Sequence, residues 1–141
     1  MDMAFSRDAD HWLFKFSADE WVRAGMAELR RAEEAYAKKN GRAGLAGARR
    51  AAGMALNGVL VVRPNEAWGR SYMDHLLALK VDAEAPARVR EAASALVDTP
   101  LPGGELVALR TANADTRVLE ATRDVLAHAY ALVKRAEAPP Q

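Results

Sequence analysis

The stretch GLAGARRAAGMALNG, residues 44–58, restricts this chain more than any other feature. Gly47, Ala51 and Ala55 recur every four residues, and Ala48, Ala52 and Gly53 lie beside them, giving a helix over about 45–62 a ridge almost without side chains. Glycine inside a helix costs about 1 kcal/mol relative to alanine, so Gly47, Gly53 and Gly58 suggest a backbone packed closely against a neighbour. That neighbour is either another helix of the same bundle or the same helix of a second copy.

The rest of the composition points the same way. Alanine fills 31 of 141 positions, arginine outnumbers lysine fifteen to five, and isoleucine is absent. Alanine, leucine, arginine and glutamate favour helices, while a sheet has little to be built from. The expected fold is all-α, an up-and-down helical bundle of about five helices. A chain of this length buries a core as one domain without staples, and the absence of cysteine excludes thiol nucleophiles, disulfides and thiolate-held metals. Twenty basic residues against nineteen acidic ones leave a net charge of +1, without the general basic excess of a protein gripping many phosphates. The longest apolar run, Val59 to Val62, is too short to span a bilayer, and the N-terminus lacks a signal-peptide pattern. A cytoplasmic protein with no membrane partner is the expectation.

Ser17-Ala-Asp-Glu20 reads as a capping box opening the first helix, whose core face is Val22, Met26, Leu29 and Tyr36, with Asn40-Gly41 as a left-handed stop. Arg63-Pro64-Asn65 ends the second helix. A third is expected from about Ala67 to Val81 and a fourth from about Pro86 to Val97. A loop over 98–104 and a less regular piece over 105–112 precede a last long helix from about Asp115 to Ala136. Residues 1–16, with Trp12, Leu13, Phe14 and Phe16, form an N-terminal packing segment against the bundle of residues 17–137 or a second subunit; 138–141 are a solvated tail. The small-residue ridge and these N-terminal aromatics together suggest a homodimer.

Taken in order, DEWVRAGMAELRRAEEA with Trp21, GLAGARRAAGMALNGVLVV, HLLAL within 71–79 and the arginine of LVALRTANAD resemble the HEPN family, the higher-eukaryote and prokaryote nucleotide-binding helical bundles. The likeness runs from Ala18 to Ala136, and departs from the family's second-helix pattern at Gly53, Met54 and Asn57, where glutamate and lysines are usual. The resemblance implies a helical module acting with a nucleotide, RNA or a partner nucleotidyltransferase in a toxin-antitoxin or defence pair. It also implies a candidate site. Ribonuclease members carry R-x4-6-H on the last long helix, and RDVLAHAY matches it with Arg123 and His128. The carry-over makes Arg123 the phosphate ligand, His128 the general acid or base, Asp124 an orienting group and Tyr130 a candidate for modification. The corresponding activity is a metal-independent endoribonuclease; no metal or other cofactor is called for.

The residues themselves temper that assignment. With three histidines and fifteen arginines, roughly one such spacing arises by chance, and Arg70 with His75 is a second match. At about 100° per residue, Arg123 and His128 fall roughly 140° apart on their helix, so one copy cannot clasp a phosphate between them. Pairing of Asp124 with His128, and of Arg123 with Glu120, explains the same residues as an ordinary helix surface. His75 beside Asp74 reads as a partly buried structural histidine, and His11 with Asp8 and Asp10 as a solvated charge run rather than a metal cluster. Arg42, Arg49 and Arg50, near Lys38 and Lys39, make the densest basic region and are the candidate nucleotide or nucleic-acid contacts. A purely structural interaction protein without a ligand is the remaining reading.

Overall fold

Helix α1 spans Ala18–Ala37 and begins at the capping box the sequence announces: Ser17 Oγ accepts from the Glu20 amide at 3.1 Å, and Glu20 Oε1 accepts from the Ser17 amide at 2.8 Å. The computed structural model describes residues 12–100 and 111–138. Among them, α1 is followed by α2 (Gly41–Val62), α3 (Tyr72–Lys80), α4 (Ala87–Asp98) and α5 (Thr111–Glu137), with short 3-10 turns at Trp12–Lys15 and Glu66–Trp68. The described residues contain no strand, and none of their helices is long and apolar enough to cross a membrane. Among the described residues the fold is an all-α bundle of five helices. Residues 1–11, with His11, Asp8 and Asp10, lie outside the described residues, as do 101–110 and the last three positions.

Helix α2 is the centre of the bundle, touching each of the other four helices. Its small ridge is filled from inside the chain. A side-chain carbon added to Gly58 would lie 2.7 Å from the Ala18 carbonyl oxygen, one on Gly47 3.3 Å from Ala32 Cβ, and one on Gly44 2.7 Å from the Tyr36 ring. As the α2 position rises, the α1 position falls, so the two helices form an antiparallel hairpin. α1 answers with a glycine of its own: at Gly25 such a carbon would lie 2.6 Å from the Ala51 carbonyl oxygen. Gly53 serves a different neighbour, lying under Tyr72 at the start of α3. Of the two neighbours the ridge allowed, the structure seats helices of the same chain.

This close approach corrects the expected face of α1. Its buried residues are Ala18, Trp21, Val22, Gly25, Glu28, Ala32 and Tyr36, whereas Met26 is 45% exposed and Leu29 half-buried. Val22 and Tyr36 are buried as expected, but at the closest approach to α2 the face continues through Gly25, Glu28 and Ala32, which turns Met26 aside. The expected stop at Asn40-Gly41 also moves. Lys39 is the left-handed residue (φ 64°), with the Lys39 amide donating to Tyr36 O and the Asn40 amide to Ala35 O, which closes the last turn of α1. Asn40 instead opens α2, its Oδ1 accepting from the Ala43 amide at 3.1 Å. α3 starts later than its apolar pattern suggests, because Gly69 takes a positive φ of 71° and Ser71 with Asp74 forms a second capping box. α5 starts a turn earlier, at Thr111.

The N-terminal aromatics are likewise used within the chain. Leu13 is buried against Leu60, its carbonyl accepts from Trp21 Nε1 at 2.7 Å, and the Phe16 ring meets Trp21 edge-on at 4.9 Å. Both features that suggested a homodimer are therefore covered within one chain.

Because Gly25 and Gly58 face backbone atoms that cannot rotate away, Gly25→Ala and Gly58→Ala should each destabilise the fold. The loss expected is about 1–2 kcal/mol, the clash outweighing the gain in helix propensity. Urea unfolding measures it; a raised midpoint for either variant would show that the seam is not closed at these positions.

Candidate functional site

α5 buries Val118, Ala121, Val125, Leu126, Ala129 and Val133 against the other helices, which turns the remaining residues of RDVLAHAY to its flanks. Each flank meets a different neighbour. Arg123 reaches α1, its guanidinium 2.6 Å from Glu33 Oε2. Asp124 reaches α4, accepting from Arg88 Nε at 3.2 Å. Tyr130 is exposed beside Lys134, whose Nζ lies 5.5 Å from the ring centroid and pairs with Asp19 at 3.2 Å. The short-range pairs Arg123–Glu120 and Asp124–His128 do not form; cross-helix partners replace them. Arg123, Asp124, His128 and Tyr130 are thus dispersed around the helix, as the angle between Arg123 and His128 requires.

His128 lines a cleft to which the other three do not contribute. The cleft, about 320 Å³, lies between the C-terminal turn of α2 with Arg63, the following turn with Pro64, Asn65 and Trp68, the α3–α4 connection with Asp82 and Glu84, and α5 with His128 and Leu132. Leu56, Val59 and Leu60 complete its wall. Pro64 sets this geometry: it stops α2 at Val62 and leaves Arg63 at the rim. His128 is half-buried, and neither ring nitrogen has a hydrogen-bond partner among the described residues. Burial lowers its pKa below the usual 6.5; Asp82 pulls the other way, while Arg63 and Arg135 reinforce the lowering. At neutral pH the ring is therefore neutral, with one donor and one acceptor to offer.

The second R-x4-H pair separates completely. Arg70 is exposed, whereas His75 is fully buried. Its Nδ1 lies 2.9 Å from the Trp68 carbonyl oxygen and its Nε2 2.7 Å from Asn57 Oδ1, on a side chain that is itself buried. The carbonyl only accepts, so Nδ1 carries the proton. Burial lowers the His75 pKa against the opposing effects of the Trp68 hydrogen bond and Asp74, and a buried imidazolium with no contacting carboxylate would be costly. The ring is neutral, Nε2 accepts, and the Asn57 amide presents its nitrogen rather than its oxygen, an orientation that heavy-atom positions do not distinguish. His75 is the structural histidine expected, more deeply buried than its sequence surroundings suggest. Asp74 closes the Ser71 cap, and the described residues bring no three of His, Asp and Glu together in a metal-holding group.

The basic region around the α1–α2 turn is also divided. Arg49 donates to three carbonyls at the end of α4: Leu96 at 2.9 Å, Val97 at 3.3 Å and Thr99 at 2.9 Å. It thereby caps a helix end whose last carbonyls have no partners of their own. Arg50 and Arg31 both pair with Glu28, at 2.8 and 2.5 Å. Burial raises the Glu28 pKa, but the two guanidinium groups outweigh it and hold the carboxyl below 4.5. Of the three candidate contacts, Arg42 is exposed in the first turn of α2, Arg50 is partly exposed on its ion pair, and Arg49 is committed to α4.

Sequence reasoning did not single out Arg63, Trp68, Asp82 or Glu84 as site residues. They come from two separate connections, α2–α3 and α3–α4, and no spacing rule relates them to His128. The break at Pro64 was the one available signal.

Comparison with known protein families, curated proteins and solved structures gave no match.

The two arginine environments separate by mutation. Arg49→Ala, which leaves the end of α4 uncapped, should lower stability by about 1–3 kcal/mol. Arg123→Ala removes an exposed ion pair and should change it by about 0.5 kcal/mol or less. Equal effects in thermal or urea unfolding would mean that Arg49 does not hold α4.

Proposed function

We propose that this chain is a HEPN-like helical binding module, engaging a nucleotide, an RNA or a partner nucleotidyltransferase, and that its binding site is the cleft at His128. One observation carries the reading: an imidazole without hydrogen-bond partners among the described residues shares a concave, partly apolar site with Arg63, Asp82 and Trp68. Ligand sites of this kind combine an apolar wall with a few convergent polar groups. The segment order that resembles the family supports the nucleotide chemistry; fold alone does not assign it.

The second reading, a metal-independent endoribonuclease of the toxin type, is favoured by the same free imidazole. Among the described residues Arg123 is held only by a partly exposed ion pair with Glu33, which a phosphate can displace at little cost. RNA cleavage of this type uses the substrate's own 2′-hydroxyl, with His128 trading the proton. Since Arg123 and His128 lie on opposite flanks, this mechanism requires a second copy to bring its Arg123 to His128. The homodimer now rests on that requirement. A structural protein without a ligand is the third reading, and it gives the cleft groups no role.

Labelled single-stranded RNA and mononucleotides, titrated in EDTA and then run on a denaturing gel, separate these. The binding module gives saturable binding, weakened roughly tenfold by His128→Ala or Arg63→Ala through loss of one hydrogen bond each, with the RNA intact. Cleavage in EDTA that His128→Ala abolishes would replace it by the endoribonuclease. A flat titration would remove both.

A further inference from the structure

The lining of the cleft is specific in its chemistry. Asp82 and Glu84 supply carboxylates, Arg63 supplies a guanidinium with no ion pair among the described residues, and neutral His128 supplies one donor and one acceptor. Trp68 is the aromatic member, with Pro64 and the leucines forming apolar wall. A bare phosphate suits this poorly, because two carboxylates oppose it for one arginine. A simple cation suits it no better, because Arg63 stands in the same space. The complementary ligand is planar and uncharged, with adjacent donors on one edge and adjacent acceptors on another.

We infer that the cleft is a guanine pocket, with Asp82 accepting from the base's imino and amino groups and Arg63 donating to its carbonyl oxygen and ring nitrogen. Guanine alone among the common bases offers both edges: N1–H beside N2–H₂, and O6 beside N7. Arginine meets the latter pair in bidentate fashion, and unpaired bases are held by stacking on aromatic rings together with hydrogen bonds to their edges. Asp82 is the half-buried carboxylate and Glu84 the exposed one, so Asp82 reads the base while Glu84 stays at the rim. Both Asp82 and Arg63 lie close enough to His128 to act on its charge, which puts the three polar groups around one volume. A space of about 320 Å³ is at the small end for ligand sites and holds one base rather than a dinucleotide. The inference rests on reading this cleft as the nucleotide site. The guanine is either that of a free nucleotide or an unpaired guanine of an RNA strand.

Isothermal titration with GMP, AMP, CMP, UMP and inorganic phosphate, and with pyrimidine RNA heptamers carrying one central G or A, tests the inference. GMP, or the G-containing heptamer, should bind at least tenfold more tightly than its adenine counterpart. Asp82→Asn, an isosteric change that keeps an oxygen to accept from the Glu84 amide, as Asp82 Oδ1 does at 3.0 Å, and whose folding circular dichroism verifies, should erase that preference without weakening the adenine ligand. Tighter binding of the heptamer identifies RNA as the source of the base, and equal or tighter binding of GMP identifies a free nucleotide; either supports the pocket. Equal affinity for all four nucleotides, displacement of GMP by millimolar phosphate, or a G preference unchanged in Asp82→Asn would overturn the guanine assignment while leaving a nucleotide-binding module in place. No binding by any of these ligands would overturn both.

Discussion

The approach of α1 to α2 at backbone distance underlies the remainder of the architecture. Where Gly25 faces the Ala51 carbonyl and Gly58 faces the Ala18 carbonyl, there is no room for even one methyl group between the helices. Interiors are packed at crystal-like density and do not absorb such an insertion without strain. The seam fixes the rotation of α2, and that rotation decides what its other sides present. Gly53 and Asn57 face α3, Arg49 reaches the end of α4, and Leu56, Val59 and Leu60 form the floor of the cleft. One helix thus organises the core, two of the polar attachments and the candidate site.

The polar groups inside the bundle are few and paired. Glu28 is met by two arginines, Thr122 donates to the Val118 carbonyl, and Asn57 and His75 satisfy each other beneath Trp68. The last of these links core and cleft, since the Trp68 whose carbonyl holds His75 also lines the site at His128. The buried His75–Asn57 hydrogen bond specifies one arrangement of α2, the Trp68 turn and α3, because leaving the imidazole unpaired there would be costly. His128, in contrast, has capacity left over.

Local signals were readable in the sequence and long-range ones were not. The Ser17–Glu20 cap was legible because both partners lie within one helical turn, and Pro64 ended α2 as proline must. The small ridge announced close packing, but whether the neighbour lay in the same chain depended on glycines and alanines of α1 that have no distinctive pattern. Met26 was misplaced because periodicity weights large apolar residues, whereas the α1 positions closest to α2 include Gly25 and Ala32. Arg49 and Arg50 read as candidate nucleotide or nucleic-acid contacts; their partners, the end of α4 and Glu28, are far away in sequence and become partners only through folding. RDVLAHAY matched a motif one residue after another, yet its side chains diverge to α1, α4 and the cleft. Its histidine is grouped instead with residues from two connections.

The functional reading therefore depends on a division between two histidines, one sealed into the structure and one open to a ligand. Nitrogen-15 NMR of the imidazole rings from pH 5 to 8, with assignment by His75→Gln and His128→Gln, measures that division. Burial lowers both pKa values, so both rings should be neutral at pH 7 and gain protons only below 6.5. His75 should hold the Nδ1–H tautomer and ignore added nucleotide, while His128 should shift on its addition. A cationic His75 at pH 7, or nucleotide-induced shifts at His75 with His128 unmoved, would reverse the roles assigned to the two rings.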